Sequence, residues 1–98
     1  MTVYAIATLN IHDRERYAQY EAGFMDIFSA HKGAILAVDE APQVIEGNWP
    51  FTRTVLLSFP SRDDLDAWYQ SEAYQDILQH RLAASTGNVV IIDALAVP

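Results

Sequence analysis

A β-α-β-β-α-β chain of the ferredoxin-like class is predicted here: an α+β fold, with a four-stranded antiparallel sheet and helices on one face. Three observations predict it. Between Arg53 and Tyr74 a run of β-branched and large apolar residues stops at Pro60, and a capped helix begins at Ser61. Between Asp13 and His31 the positions Tyr17, Tyr20, Phe24 and Ile27/Phe28 step by three or four residues, as one face of a helix does. The runs Val3 to Leu9 and Val89 to Ile92, near the two ends, are apolar on successive residues, the pattern of strands buried on both faces.

Each element follows from local chemistry. Val3 to Leu9 reads as a strand ended by Asn10 and Asp13. Asp13 can accept from the first free N–H groups of a helix that runs on to His31, with Lys32 at its negative end and Gly33 closing it. Ala34 to Asp39 is again extended, and Ala41-Pro42 breaks it. Gln43 to Phe51, with Gly47 and Pro50, is a connection carrying Glu46, Asn48 and Trp49. Thr54 to Phe59 is the next strand, and Pro60 ends it because proline has no N–H for the ladder. Ser61 and Asp64 form a Ser-x-x-Asp cap, and Asp63, Asp64 and Asp66 lie where the helix dipole favours negative charge. Leu65, Trp68 and Tyr69 make its apolar stripe. Ser71 caps again, so a kink and a second helical piece from Glu72 to Ala84 are expected, with Ala73, Ile77, His80/Arg81 and Ala84 in period and Tyr74 and Leu78 alongside. Gly87-Asn88 then turns the chain into the last strand.

Length and composition narrow the function classes. With 98 residues the chain is expected to be one domain over residues 1–98, and a domain of this size alone buries only about two-thirds of the surface its unfolded form exposes. Hydrophobic residues make up 51% and charged ones 19%, less than the roughly 25% usual in globular domains. Helices can cover one side of the sheet, yet Ile6, Leu57, Ile91 and their neighbours leave the other side apolar as well. A homodimer that pairs those faces is the expected partner. Thirteen acidic residues against six basic ones give a net charge of −7, which argues against nucleic acid, since phosphates need clustered Lys and Arg. No run approaches a membrane span, the N-terminus is not a signal peptide, and the lack of cysteine suits a reducing cytoplasm.

The residues Phe59-Pro60-Ser61, Ala67-Trp68-Tyr69-Gln70-Ser71, Tyr74-Gln75 and Arg81, preceded by Glu46-Gly47 and Arg53, give the chain a resemblance to an uncharacterised bacterial family, domain of unknown function 1330. The resemblance covers nearly the whole chain. It implies a dimeric α+β barrel, a superfamily that also holds small cofactor-free monooxygenases, chlorite dismutase-like haem proteins and muconolactone isomerase-like enzymes. It implies a dimer and no particular chemistry, because fold does not carry function. It also places Glu46, Arg53, Tyr74 and Arg81 on the family's recurrent polar positions, while Asn48-Trp49-Pro50 departs from the family's pattern.

The candidate pocket residues are Arg53, Glu46, Tyr17, His31, Tyr74, Arg81 and Trp49. Arg53 alternates with Val55 and Leu57, so its guanidinium can reach the interior. There it is either an anion clamp or half of a structural pair, with Glu46 the nearest acidic candidate in sequence. Arg81 can reach the same pocket or the surface. His31 and His80 are each a general-base candidate or a capping or core imidazole, and His12 reads as solvated. Tyr17, Tyr20, Tyr69 and Tyr74 can line a pocket for an aromatic ligand, with Trp49 as a lid and Trp68 behind, or can simply be core. The histidines and carboxylates show no metal spacing, and no cofactor is expected. Two function classes remain open. One is a small cofactor-independent enzyme acting on a small organic acid or aromatic substrate; the other is a non-catalytic, small-ligand-binding or stress-associated homodimer.

Overall fold

The computed structural model describes residues 1–96. The elements are β1 (Val3–Ile11), α1 (Arg14–Phe28), β2 (Ala34–Asp39), β3 (Arg53–Phe59), α2 (Arg62–Tyr69), α3 (Glu72–Ala84) and β4 (Ser85–Asp93). The strands form one antiparallel sheet in the order β2-β3-β1-β4, which is the ferredoxin-like arrangement with its second helix divided in two.

The caps fall where side-chain chemistry puts them. Arg16 N donates to Asp13 Oδ1 at 3.0 Å, Asp64 N to Ser61 Oγ at 3.1 Å and Tyr74 N to Ser71 Oγ at 3.2 Å. Ser71 also donates to Trp68 O at 2.7 Å, so one hydroxyl ends α2 and starts α3. Two glycines differ from expectation. α1 ends at Phe28, and Gly33 lies beyond it between two rings: a Cβ there would stand 2.6 Å from both Phe28 Cζ and Phe59 Cε1. Gly87 makes no turn. α3 passes directly into β4 at Ser85, and Gly87 lies inside that strand, where a Cβ would meet Thr8 O at 2.0 Å. The last strand is longer than its apolar run because it pairs with all of β1, from Ser85 opposite Ile11 to Asp93 opposite Val3.

The register sorts the strand residues into two faces. Opposite partners share a face and alternation does the rest, so Val3, Ala5, Ala7 and Leu9 lie with Val55, Leu57, Phe59 and Ile91 under the helices. Ile6, Leu56, Val90 and Ile92 share the opposite, uncovered face. The expectation that Leu57 and Ile91 belong to the free face is therefore corrected: Leu57 is 6% exposed in the core, whereas Ile92 is 46% exposed. β2 keeps Ile35 and Val38 on the helix side because a bulge between Ile35 and Ala37 resets its alternation.

The helical layer is tied down at its edges. Phe28, Phe59, Trp68 and Tyr74 build an aromatic cluster at one end, with Trp68 and Tyr74 centroids 4.2 Å apart. At the other end, Ala84 O accepts from His12 N at 2.9 Å and Asp13 N at 3.2 Å. The α3 stripe that turns inward is Tyr74, Leu78, Arg81 and Ala84, all within the expected set; Ala73 is exposed, and Ile77 lies beside the stripe against Gly23 of α1.

Candidate functional site

Two alanines open a space inside this layer. Ala5 and Ala7 sit in the middle of the central strand β1, between the larger Val3 and Leu9, and the helix above cannot descend to fill what their small side chains leave. The result is a cavity of about 210 Å³ between α1, α3 and the sheet. Ala5, Ala7, Val55 and Leu57 form its floor, Tyr17, Tyr20 and Phe24 its roof, and Trp68, Tyr74 and Arg81 one wall.

Arg53 and Arg81 are the cavity's two cations, and they differ in partnership. Arg53, at the start of β3 with its side chain 17% exposed, pairs with Glu21 at 3.4 Å and Glu40 at 4.0 Å, and lies over the Tyr17 ring at 5.6 Å. Glu46 is not its partner, because it sits in the exposed loop before β3, whereas α1 and the end of β2 bring their carboxylates to the guanidinium. Arg81 is 8% exposed and, among the described residues, has no carboxylate partner. Its neighbours are the Tyr20 ring, 5.8 Å away, and Tyr74. Burial works against its charge, but the Tyr74 and Tyr20 oxygens more than offset that and hold its pKa above the usual arginine value. Arg53 Nε and Trp68 Nε1 are buried without an acceptor among the described residues.

The phenols are locked in their protonated form. The hydroxyls of Tyr20 and Tyr74 lie 2.7 Å apart. Burial raises the pKa of Tyr17, of Tyr20 and of Tyr74, the pull of Arg53 on Tyr17 and of Arg81 on Tyr74 being too weak to reverse it. At neutral pH all three offer hydrogen bonds and none is a base. Among the described residues Glu21 is the one carboxylate of the lining, and it is committed to Arg53.

Of the expected pocket residues, Arg53, Tyr17, Tyr74 and Arg81 surround the cavity, and Glu46, His31 and Trp49 do not. Trp49 donates from Nε1 to Thr54 Oγ1 at 2.9 Å, and Thr54 alternates onto the sheet's free face, which takes the indole away from the cavity. His31 follows the end of α1, and His80 accepts at Nδ1 from Arg16 Nε at 2.8 Å in a half-buried bond between α3 and α1, outside the cavity lining. Sequence reasoning missed Glu21 and the alanine floor. The alternation Val3-x-Ala5-x-Ala7-x-Leu9 carries the signal for the floor, two small residues framed by large ones on the same face. Among the described residues no three His, Asp or Glu side chains are gathered to hold a metal, and no helix is long and apolar enough to cross a membrane.

The family model for the domain of unknown function (DUF1330) matches residues 2–95. A comparison with curated proteins found no match. Among solved structures the chain is similar to a protein of unknown function from Rhodopseudomonas palustris, at 15% identity, with 97% of this chain and 83% of that one covered and a TM-score of 0.82. It is similar to SnoaB, a cofactor-independent oxygenase from Streptomyces nogalater, at 12% identity, 98% and 95% coverage and a TM-score of 0.68. It is also similar to a dimeric ferredoxin-like protein of unknown function from Thermobifida fusca, at 14% identity, 94% and 88% coverage and a TM-score of 0.65. At these identities the likeness is one of fold.

Proposed function

The chain belongs to the domain of unknown function 1330 family, and from its cavity we propose that it binds a small, mainly apolar anion, held against Arg81, as a homodimer. The observation that carries this reading is the buried Arg81 guanidinium, without a counter-charge among the described residues. A buried charge is costly unless something compensates it, and here the compensation would come from the ligand. The rest of the lining suits the same occupant, being aromatic and aliphatic apart from the paired Arg53 and Glu21. Arg53 serves in this reading as a structural pair that ties β3 to α1. The test is a thermal-shift screen of small organic anions against wild type and Arg81→Gln. An anion present at a hundred times its Kd should stabilise the wild type by about 2.7 kcal/mol and leave the variant's melting point nearly unmoved. A wild type that no anion stabilises would contradict the reading.

Pairing of the free sheet faces is supported by surface area. The described chain exposes 6288 Å², against about 5,600 Å² for a compact monomer of this mass. The excess of roughly 700 Å² is close to one partner's share of a standard interface. The solved relative from Thermobifida fusca is itself described as dimeric.

Catalysis without a cofactor is a second reading, favoured by the Tyr20–Tyr74 hydroxyl pair beside Arg81. Donors fixed in an apolar cavity are arranged to stabilise an oxyanion as it forms. Since the phenols stay protonated and Glu21 is engaged, such a substrate would have to bring its own readily lost proton. Incubating a bound ligand with stoichiometric protein in air separates the two readings: recovery of unchanged ligand supports binding alone, and conversion supports catalysis.

A further inference from the structure

We infer that the ligand is a single-ring aromatic monocarboxylate, an inference that rests on the anion-binding reading and narrows it by charge, size and shape. Charge comes first. The cavity holds two guanidinium groups, and Glu21 and Glu40 already offset that of Arg53. One positive charge is left, on Arg81, and among the described residues of the lining a second negative group would find no further unpaired cation. The ligand therefore carries one negative charge.

The hydrogen-bond donors favour a carboxylate. Arginine can only donate, so Arg81 offers N–H groups to an acceptor. The two phenols share one hydrogen bond, and whichever of Tyr20 and Tyr74 donates it, the other keeps a proton to spend. A guanidinium and a neighbouring phenolic proton match the two oxygens of one carboxylate.

Size and wall chemistry supply the rest. An apolar cavity of about 150 Å³ accommodates benzene. At about 210 Å³ this cavity takes one ring and two to four further heavy atoms, the size of benzoate or phenylacetate. Tyr17, Tyr20, Phe24, Trp68 and Tyr74 surround that volume, so a ring inside it can meet neighbours both edge-on and face-on.

The experiment titrates the wild type with benzoate, benzamide, phthalate and hexanoate, reading tryptophan fluorescence and calorimetric heat. Benzoate should bind at least about tenfold more tightly than each of the other three, which lack the charge, carry a second one or lack the ring. Arg81→Gln should weaken benzoate by about tenfold or more and leave benzamide within about twofold. Because loss of a buried guanidinium can itself disturb folding, Ala7→Leu is run alongside. It fills the floor without touching a charged group, and it should abolish benzoate binding while the protein keeps its melting point. Phthalate or hexanoate binding as tightly as benzoate overturns the aromatic monocarboxylate and leaves the broader anion reading standing. If no monoanion binds the folded wild type, both fall. Benzoate binding that survives Ala7→Leu places the ligand outside this cavity and overturns the inference.

Discussion

The Tyr20 and Tyr74 hydroxyls meet at 2.7 Å in the interior, joining α1 to α3 by a side-chain bond whose partners stand 54 residues apart. Two buried hydroxyls satisfy each other, so removing one leaves the other without its partner. Tyr20→Phe and Tyr74→Phe should each cost about 1–2 kcal/mol, and the double variant should cost clearly less than their sum. Urea unfolding of the four proteins measures the coupling, and strict additivity would mean that the bond does not contribute.

The same phenols set an alkaline limit on stability. Burial raises the folded pKa of Tyr17, Tyr20 and Tyr74 above the unfolded value of about 10. A raised folded pKa gives a contribution that is complete below the unfolded pKa and is lost as pH rises toward the folded one. Above about pH 10 the unfolded chain sheds protons that the folded chain keeps, so each such phenol should lower stability by about 1.4 kcal/mol per pH unit. Denaturant midpoints should be nearly level from pH 8 to about pH 9.5 and then fall steeply to pH 11 for the wild type, less steeply for Tyr20→Phe/Tyr74→Phe. Equal slopes would refute the assignment.

Leu56 and Leu57 are neighbours that point to opposite faces of β3, and a charge at each should act differently. Leu56→Glu places a carboxylate on the uncovered face and should give monomers in sedimentation at micromolar concentration. Leu57→Glu buries the charge beneath the helices and should prevent folding. A wild type that sediments as a well-folded species of 11.0 kDa would contradict the paired sheet.

Local devices offer a separate check. Ser61→Ala and Ser71→Ala each remove a helix cap and should cost about 1 kcal/mol in thermal melts. Gly33→Ala should cost more, about 2 kcal/mol or above, because its Cβ would press on the buried rings of Phe28 and Phe59 and neither can yield freely. Gly47→Ala has open space around it and should lose only about 1 kcal/mol, from its positive φ of 81°. A Gly33 variant as stable as the wild type would mean that the rings repack at little cost.

The features legible in the sequence are those set within a few residues of one another. Ser61 and Ser71 cap the N–H three residues on, Pro60 ends a ladder by lacking a donor, and the period of Tyr17, Tyr20 and Phe24 orients a helix whatever lies beneath it. These fixed the element order and brought four of the seven expected pocket residues toward one space. Strand pairing and helix docking decided the rest. Which of Leu56 and Leu57 is buried depends on register, since a shift of one residue exchanges the two faces. Glu21 and Glu40, rather than the nearer Glu46, reach Arg53 because α1 and β2 are folded back over β3. The bond from Trp49 to Thr54 turns a residue expected over the pocket away from it. Among the described residues Arg81 lacks a counter-charge because the tertiary fold brings aromatic rings to it and no carboxylate, and that separation through space has no counterpart in the order of residues along the chain.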